Sequence, residues 1–208
     1  MIEVKSAILL LGFNRTDYFS QVLASLEKNQ AAYEHDLHVY VDGGPDARQG
    51  EIKQLIANSK FPDATIVCRA NNWGIGRHLI DARRRLFDEQ GYDRILLLED
   101  DLVLGEHYVD TVFSIADWAS KYDDIGTITA YHINEHPIEQ QKSQANHLIA
   151  TNRHFWGYVI TRKVWDEIKH IIYSFEQKYL VKSTYTNRSH RRIPVSYTHL
   201  TLPTILLV

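Results

Sequence analysis

One cysteine, Cys68, stands in 208 residues, so no intrachain disulfide can form and a cysteine-rich metal site is excluded. Charge of one sign is also lacking. With 23 Lys and Arg against 26 Asp and Glu, the formal net charge of -3 gives no electrostatic case for nucleic acid or for an anionic membrane surface. Basic residues gather at Arg83 to Arg85 and at Arg188 to Arg192, and each run reads as a solvated face. No apolar run is long enough to cross a bilayer, so no transmembrane segment is expected. The apolar N-terminal stretch in "MIEVKSAILLLGFNRTD" is short and leads into "GFNR" rather than into small residues, which reads as a buried strand and not a leader. Nothing then directs the chain to a glycosylating compartment, so the sequons at Asn14 and Asn187 carry no weight and a cytoplasmic location is expected. A phosphate-cradling G-x-x-x-x-G-K-[ST] loop is missing too. "GIGRHL" opens like a dinucleotide fingerprint, but Leu79 stands where a third small residue belongs, and the segment follows the third strand rather than the first.

What is present reads as one globular domain with a sizeable core, at 44% hydrophobic and 24% charged residues. "AILLLGF", "LHVYVDGG", "ATIVC", "RILLL" and "IGTITA" are short apolar runs of the kind that fill a sheet covered on both faces. Between them, residues 16 to 26, 49 to 59, 76 to 91 and 107 to 122 carry helical spacing, with Thr16 and Asp17 offering cap chemistry to the first. "WGYVITRKVWDEIKHII" reads as a strand passing into a helix. Alternation of this kind predicts an α/β fold: a mostly parallel sheet with helices on both faces. Ligands of such sheets sit beyond the carboxyl ends of the strands. That rule places Asn14 and Arg15, Asp42, Asn71 to Arg77, and Glu99 to Asp101 along one rim.

The acids in "RILLLEDDLVLG" are the sharpest signal. An apolar strand has no structural need to end on Glu99, Asp100 and Asp101, because adjacent like charges repel and each must keep its water or find a cation. Oxygen-only ligands at this place suit a hard divalent ion such as Mn2+ or Mg2+. The competing reading is a solvated turn, as Asp42 before Gly43 could be a turn former and Arg15 a surface residue at a strand end. His78 alone would read as a cap, and Trp156 and Trp165 read equally as core or as a sugar platform.

Taken together, these segments resemble the N-acetylglucosaminyltransferase I family and its bacterial relatives, within the GT-A glycosyltransferases, over roughly residues 5 to 180. The matching pieces are Asn14 and Arg15 in "GFNR", Asp42 in "YVDGG", the pair Arg77 and His78, and above all the "EDD". The resemblance implies a GT-A, Rossmann-like fold and transfer of a sugar from a nucleotide donor, UDP-linked, to a glycan or other hydroxyl acceptor, with inversion. It implies Asp101 as the metal ligand, Asp42 at the uracil, Arg15 with Asn14 at the nucleotide, and Arg77, His78, Glu99 and Asp100 near the ribose and sugar. "YHIN" and "HFWGYVITRKVW" resemble the family's acceptor side, making Asn134, Trp156 and Gly157 candidates there. The family's general base has no match here, Glu176 being only the nearest acid, so the catalytic base is expected beyond about Ile193, where the native sequence is read to break off. A nucleotidyltransferase, or a nucleotide-sugar-binding module without catalysis, are the alternatives. The first would want a glycine-rich basic loop after the first strand, and "GFNRTDY" is not one.

The end of the chain, "VSYTHLTLPTILLV", resembles the translation of a transposase-type sequencing adapter. The expected division is therefore residues 1 to 193 as a GT-A domain, holding the donor-binding part and the start of the acceptor part, and 194 to 208 as a non-native tail. On that reading the domain is truncated at its C-terminus, and activity is expected of the parent protein rather than of the fragment.

Overall fold

The computed structural model describes residues 4–130, 137–143, 148–151, 156–181, 185 and 204–207. Strands β1 (Ser6–Gly12), β2 (Asp36–Val41), β3 (Thr65–Cys68) and β4 (Arg94–Leu98) alternate with helices α1 (Thr16–Leu26), α2 (Gln49–Ala57) and α3 (Gly74–Arg84). Then follow α4 (Tyr108–Ala119), β5 (Thr127–Thr129), α5 (Ile138–Ser143), β6 (Leu148–Thr151), β7 (Tyr158–Thr161), α6 (Arg162–Phe175) and β8 (Thr204–Leu207). The strands form one sheet in the order β3-β2-β1-β4-β7-β5-β8-β6. The half built from β3, β2, β1 and β4 is parallel throughout.

The unbroken apolar runs are explained by burial on both faces. Along β1, Ile8 and Leu10 pack on one face among residues of α1, α2 and α4, such as Phe19, Ile52 and Val112. Ala7, Leu9 and Leu11 pack on the other, among residues of α3 and α6, such as Ile80 and Trp165. Each strand residue therefore meets a helix whichever way it points, and no polar alternation survives.

Three details depart from the sequence pattern. Helix α1 takes no side-chain cap from Thr16 or Asp17; its N-cap is Arg15, and the Thr16 hydroxyl donates to Glu51 Oε2 at 3.1 Å. The long helix after β3 starts at Gly74 and widens into a π-turn over Arg85–Glu89 before Gly91 ends it. β5 does not lie beside β4: β7 is inserted antiparallel between them, with Leu97 opposite Tyr158 and Thr129 opposite Tyr158 on its other side. Thr204–Leu207 pair with β5 and β6, as an apolar β-prone run does when a strand edge is open to it. Among the described residues, no helix is long and apolar enough to cross a membrane.

Candidate functional site

The chain reverses direction across the sheet at β1. From β1 it moves outward to β2 and β3, then crosses back to β4 on the other side of β1. A crevice opens at such a point, outside the carboxyl ends of the two strands. The structure has a cavity of about 370 Å3 there, lined by Leu11 to Arg15 from β1, Asp42 from β2, Asn72, Gly74, Ile75 and His78 at the start of α3, Glu99 and Asp100 from β4, and Tyr185.

Asp42 is 6% exposed, and its carboxylate accepts the backbone N–H groups of Gly43, Trp73 and Gly74, each at 2.9 Å. It thus ties the end of β2 to the N-terminus of α3. Two consequences follow. The amides that would otherwise make this helix end an anion site already hold an internal carboxylate, so α3 is not the place for a phosphate. Three of the carboxylate's roughly four lone-pair directions are used, leaving one for a ligand N–H. The close approach of the β2 and β3 ends also demands Gly43, where a Cβ would run into the Arg69 carbonyl.

His78 is buried one turn further along α3, and its Nε2–H donates to the Tyr40 carbonyl at 3.1 Å. That bond fixes the tautomer and leaves Nδ1 as an acceptor with no hydrogen-bond partner among the described residues. Burial pushes the imidazole pKa down, so the ring stays neutral. Arg77 is not among the cavity-lining residues. Its guanidinium lies over the Trp73 ring at 4.0 Å, and that of Arg69 lies over the same ring at 4.5 Å.

The three acids find three different answers. Asp100 is buried and takes a two-point hydrogen bond from Arg15, through Nη2 and through Nε at 3.3 Å. Asp101 is exposed and holds Arg15 Nη1 at 3.1 Å. Glu99 is half-buried, and its carboxyl is pushed up by burial and by the neighbouring charges of Asp101 and Asp100. Hydrogen bonding to Asp100 in turn holds the Arg15 guanidinium more firmly in its charged form.

A hard cation could use the Asp101 oxygens, because that carboxylate is the exposed one of the three. It would need further ligands from outside, since no group of three or more His, Cys, Asp or Glu side chains among the described residues is placed to hold a metal. The donor set therefore fits a cation shared with an oxygen-rich ligand and not one caged by protein alone.

The acceptor-side candidates reach the same rim by another route. β7 runs antiparallel to β4, which sets Gly157 and Trp156 beside the end of β4, a Cβ at Gly157 being 3.6 Å from Leu98. The Gly157 carbonyl is fixed by the Tyr108 and Thr129 hydroxyls, and Trp156 is left 49% exposed. Asn134 lies outside the described residues. Glu176 is buried against Arg84, at the end of α3 remote from the rim. Among the cavity residues, the sequence does not single out Phe13 or Tyr185, and marks Ile75 only as part of the rim segment Asn71 to Arg77. Phe13 reads as the last residue of an apolar strand. Ile75 is a 57% exposed apolar residue in a first helical turn, a signal visible only once the helix start is known. Tyr185 falls in a stretch with no periodicity.

No protein-family model and no curated protein matches the chain. Solved structures do. A mannosyltransferase, PcManGT from Pyrobaculum calidifontis in complex with GDP-Man and Mn2+, superposes with a TM-score of 0.57 at 10% identity, over 79% of this chain and 46% of that one. S. aureus TarS superposes with a TM-score of 0.55 at 11% identity, over 98% of this chain and 35% of that one. A shorter form, TarS 1-349, gives 0.53 at 12% identity over 58% of its length. The chain thus spans about half or less of the first of these proteins and about a third of the second. At such identities the likeness shows the fold alone, and that fold is the GT-A α/β fold.

Proposed function

We propose that the chain carries the donor-binding part of a glycosyltransferase, taking a sugar from a UDP-linked donor to a hydroxyl acceptor, and that it resembles the N-acetylglucosaminyltransferase I family in doing so. The observation that carries the reading is the cavity at the β1/β4 crossover. It joins an apolar wall with two buried acceptors, Asp42 and His78, at one end to Arg15 and the acid cluster at the other. A nucleoside diphosphate has the same polarity: a planar base with an N–H edge at one end and an anionic diphosphate at the other. Asp42 then accepts the base N–H with its remaining lone pair. Asn14, Arg77, Glu99 and Asp100 belong to the nucleotide and sugar side, and Asn134, Trp156 and Gly157 to the acceptor side.

Asp101 would hold the Mn2+ or Mg2+ together with the diphosphate, and the cation supplies charge neutralisation for the leaving nucleoside diphosphate. Arg15, already on Asp100 and Asp101, is placed to move between those carboxylates and a phosphate oxygen. Inversion needs a base to take the acceptor's proton. No residue of this chain is assigned that role, and the complete reaction is expected to need sequence that continues the domain. We read residues 194 to 208 as a non-native addition and the protein as cytoplasmic.

Thermal unfolding with UDP, GDP and CDP, each with and without Mn2+, tests the reading. A ligand that binds only the folded chain at about 100 times its Kd adds about 2.7 kcal/mol. Stabilisation by UDP that requires Mn2+ and disappears in Asp101→Ala is the expected result. A cooperative transition that no nucleotide shifts would remove the donor assignment.

A further inference from the structure

Gly74 and Gly76 open α3, and the first of them has a neighbour that explains it. Gly74 has φ +71, and a Cβ there would overlap the Tyr185 ring. A Cβ on Gly76 would meet Leu180 Cδ1 at 3.5 Å. The first glycine of "GIGRHL" therefore has no need of a phosphate to account for it, while the second tolerates the Leu180 contact at an ordinary distance. Gly74 leaves room for the Tyr185 ring on the first turn of α3. What that packing brings to the rim is an aromatic ring. Tyr185 forms part of the wall of the cavity that holds Asp42 and His78, and it keeps 38% of its surface exposed.

The placement is informative because of what surrounds it. The α3 amides are taken by Asp42, so the Tyr185 end of the cavity does not suit a phosphate. The Arg15 and Asp100 end does. The Tyr185 end offers Ile75 and the ring as apolar walls, with two acceptors at its edge in Asp42 and His78. Flat apolar walls with hydrogen-bond acceptors at one edge suit a planar heterocycle that carries N–H donors.

We propose that Tyr185 is a donor-binding residue that stacks on the nucleobase, contributed by the segment after α6 and seated by Gly74. This rests on the donor reading above. Stacking of a base on an aromatic side chain is sequence-tolerant, so Tyr185 contributes affinity, while Asp42 chooses the base.

The test compares UDP with inorganic pyrophosphate, both with Mn2+, by calorimetric titration of the 208-residue chain and of Tyr185→Phe and Tyr185→Leu. UDP lacks the sugar and pyrophosphate lacks the base, so the pair isolates the base. Loss of a stacked base weakens binding by about 5- to 150-fold. Tyr185→Leu is expected to lose UDP affinity within that range with pyrophosphate affinity unchanged, and Tyr185→Phe to keep both. Unchanged pyrophosphate binding also shows that the variant is folded. UDP binding that is equal in the parent chain and in Tyr185→Leu overturns the assignment of Tyr185 and leaves the donor site standing. A parent chain that binds neither UDP nor pyrophosphate overturns the donor reading and this inference with it. Equal losses for UDP and pyrophosphate in Tyr185→Leu overturn stacking in favour of a general structural role.

Discussion

Three adjacent acids persist at the end of β4 because each is stabilised differently. Asp100 has Arg15, Glu99 is buried enough to hold its proton longer than an ordinary carboxyl, and Asp101 faces solvent. Arg15 is therefore the resident counter-cation of the cluster. A metal ion at Asp101 must displace its Nη1 contact, and the two cations compete. Removing one unit charge a few Å away in a water-like dielectric changes the local energy by about 1 kcal/mol, or about fivefold in affinity. Arg15→Gln is accordingly expected to bind Mn2+ alone about fivefold more tightly than the parent chain, read from the free Mn2+ spin-resonance signal. Its UDP affinity in the presence of Mn2+ should fall, since the phosphate contact proposed for Arg15 is lost. Unaltered Mn2+ affinity would show that Arg15 does not guard Asp101. Asp42 shows why residue roles need the structure: its position at a strand end is plain in the sequence, but its three amide bonds are not, because their donors lie up to 32 residues away.

The elements are held by packing of large side chains between α3, its π-turn and α6. Trp165 has 0% exposure, stacks on Phe87 with ring centroids 5.6 Å apart, meets Tyr173 edge-on, and donates its indole N–H to Asp88 at 3.0 Å. Its truncation removes the largest fully buried side chain in the described core and leaves the Asp88 carboxylate one donor short. Trp165→Ala is expected to cost about 3–5 kcal/mol in denaturant unfolding. Trp156→Ala, at an exposed rim position, should cost far less. The sequence treats these two tryptophans alike, and only the fold separates them. The same contrast holds for the elements themselves. β1 to β4 and their helices are legible because strands buried on both faces read as apolar runs and their crossovers are local. The insertion of β7 between β4 and β5 is not legible, since strand neighbours across such a separation are chosen by pairing and not by pattern. Likewise the acids, Asp42 and His78 announce themselves as polar groups after apolar strands or at a helix start. Tyr185 arrives from more than 100 residues beyond Gly74 with no periodic signal.

Across the whole molecule, among the described residues, three histidines have their pKa values lowered chiefly by burial: His38 and His78, which are enclosed by the fold, and His35, which is half-buried. Tyr92 donates its hydroxyl to Asp36 at 2.6 Å, so it must accept from His38 Nε2–H at 2.8 Å, which fixes the tautomer of the neutral ring, and burial disfavours the charged one. An unfolded chain offers the same rings with pKa about 6.5. Below that value the unfolded state binds protons that the folded state refuses, so unfolding takes up protons and stability declines as pH falls. The decline for each ring continues until its own lowered folded-state pKa is reached. At its steepest it amounts to about 1.4 kcal/mol per pH unit for each histidine. Glu99 acts in the opposite sense. Its folded pKa is raised, so its contribution weakens stability as pH climbs from the ordinary carboxyl value up through the raised one. The melting temperature is therefore expected to fall steadily from pH 7 to pH 5. His38→Gln should lower it at pH 7, by loss of the Tyr92 contact, and flatten the slope below 6.5, because one group that must charge on unfolding is gone. An equally steep slope in His38→Gln would place the acid sensitivity in other groups than the buried rings.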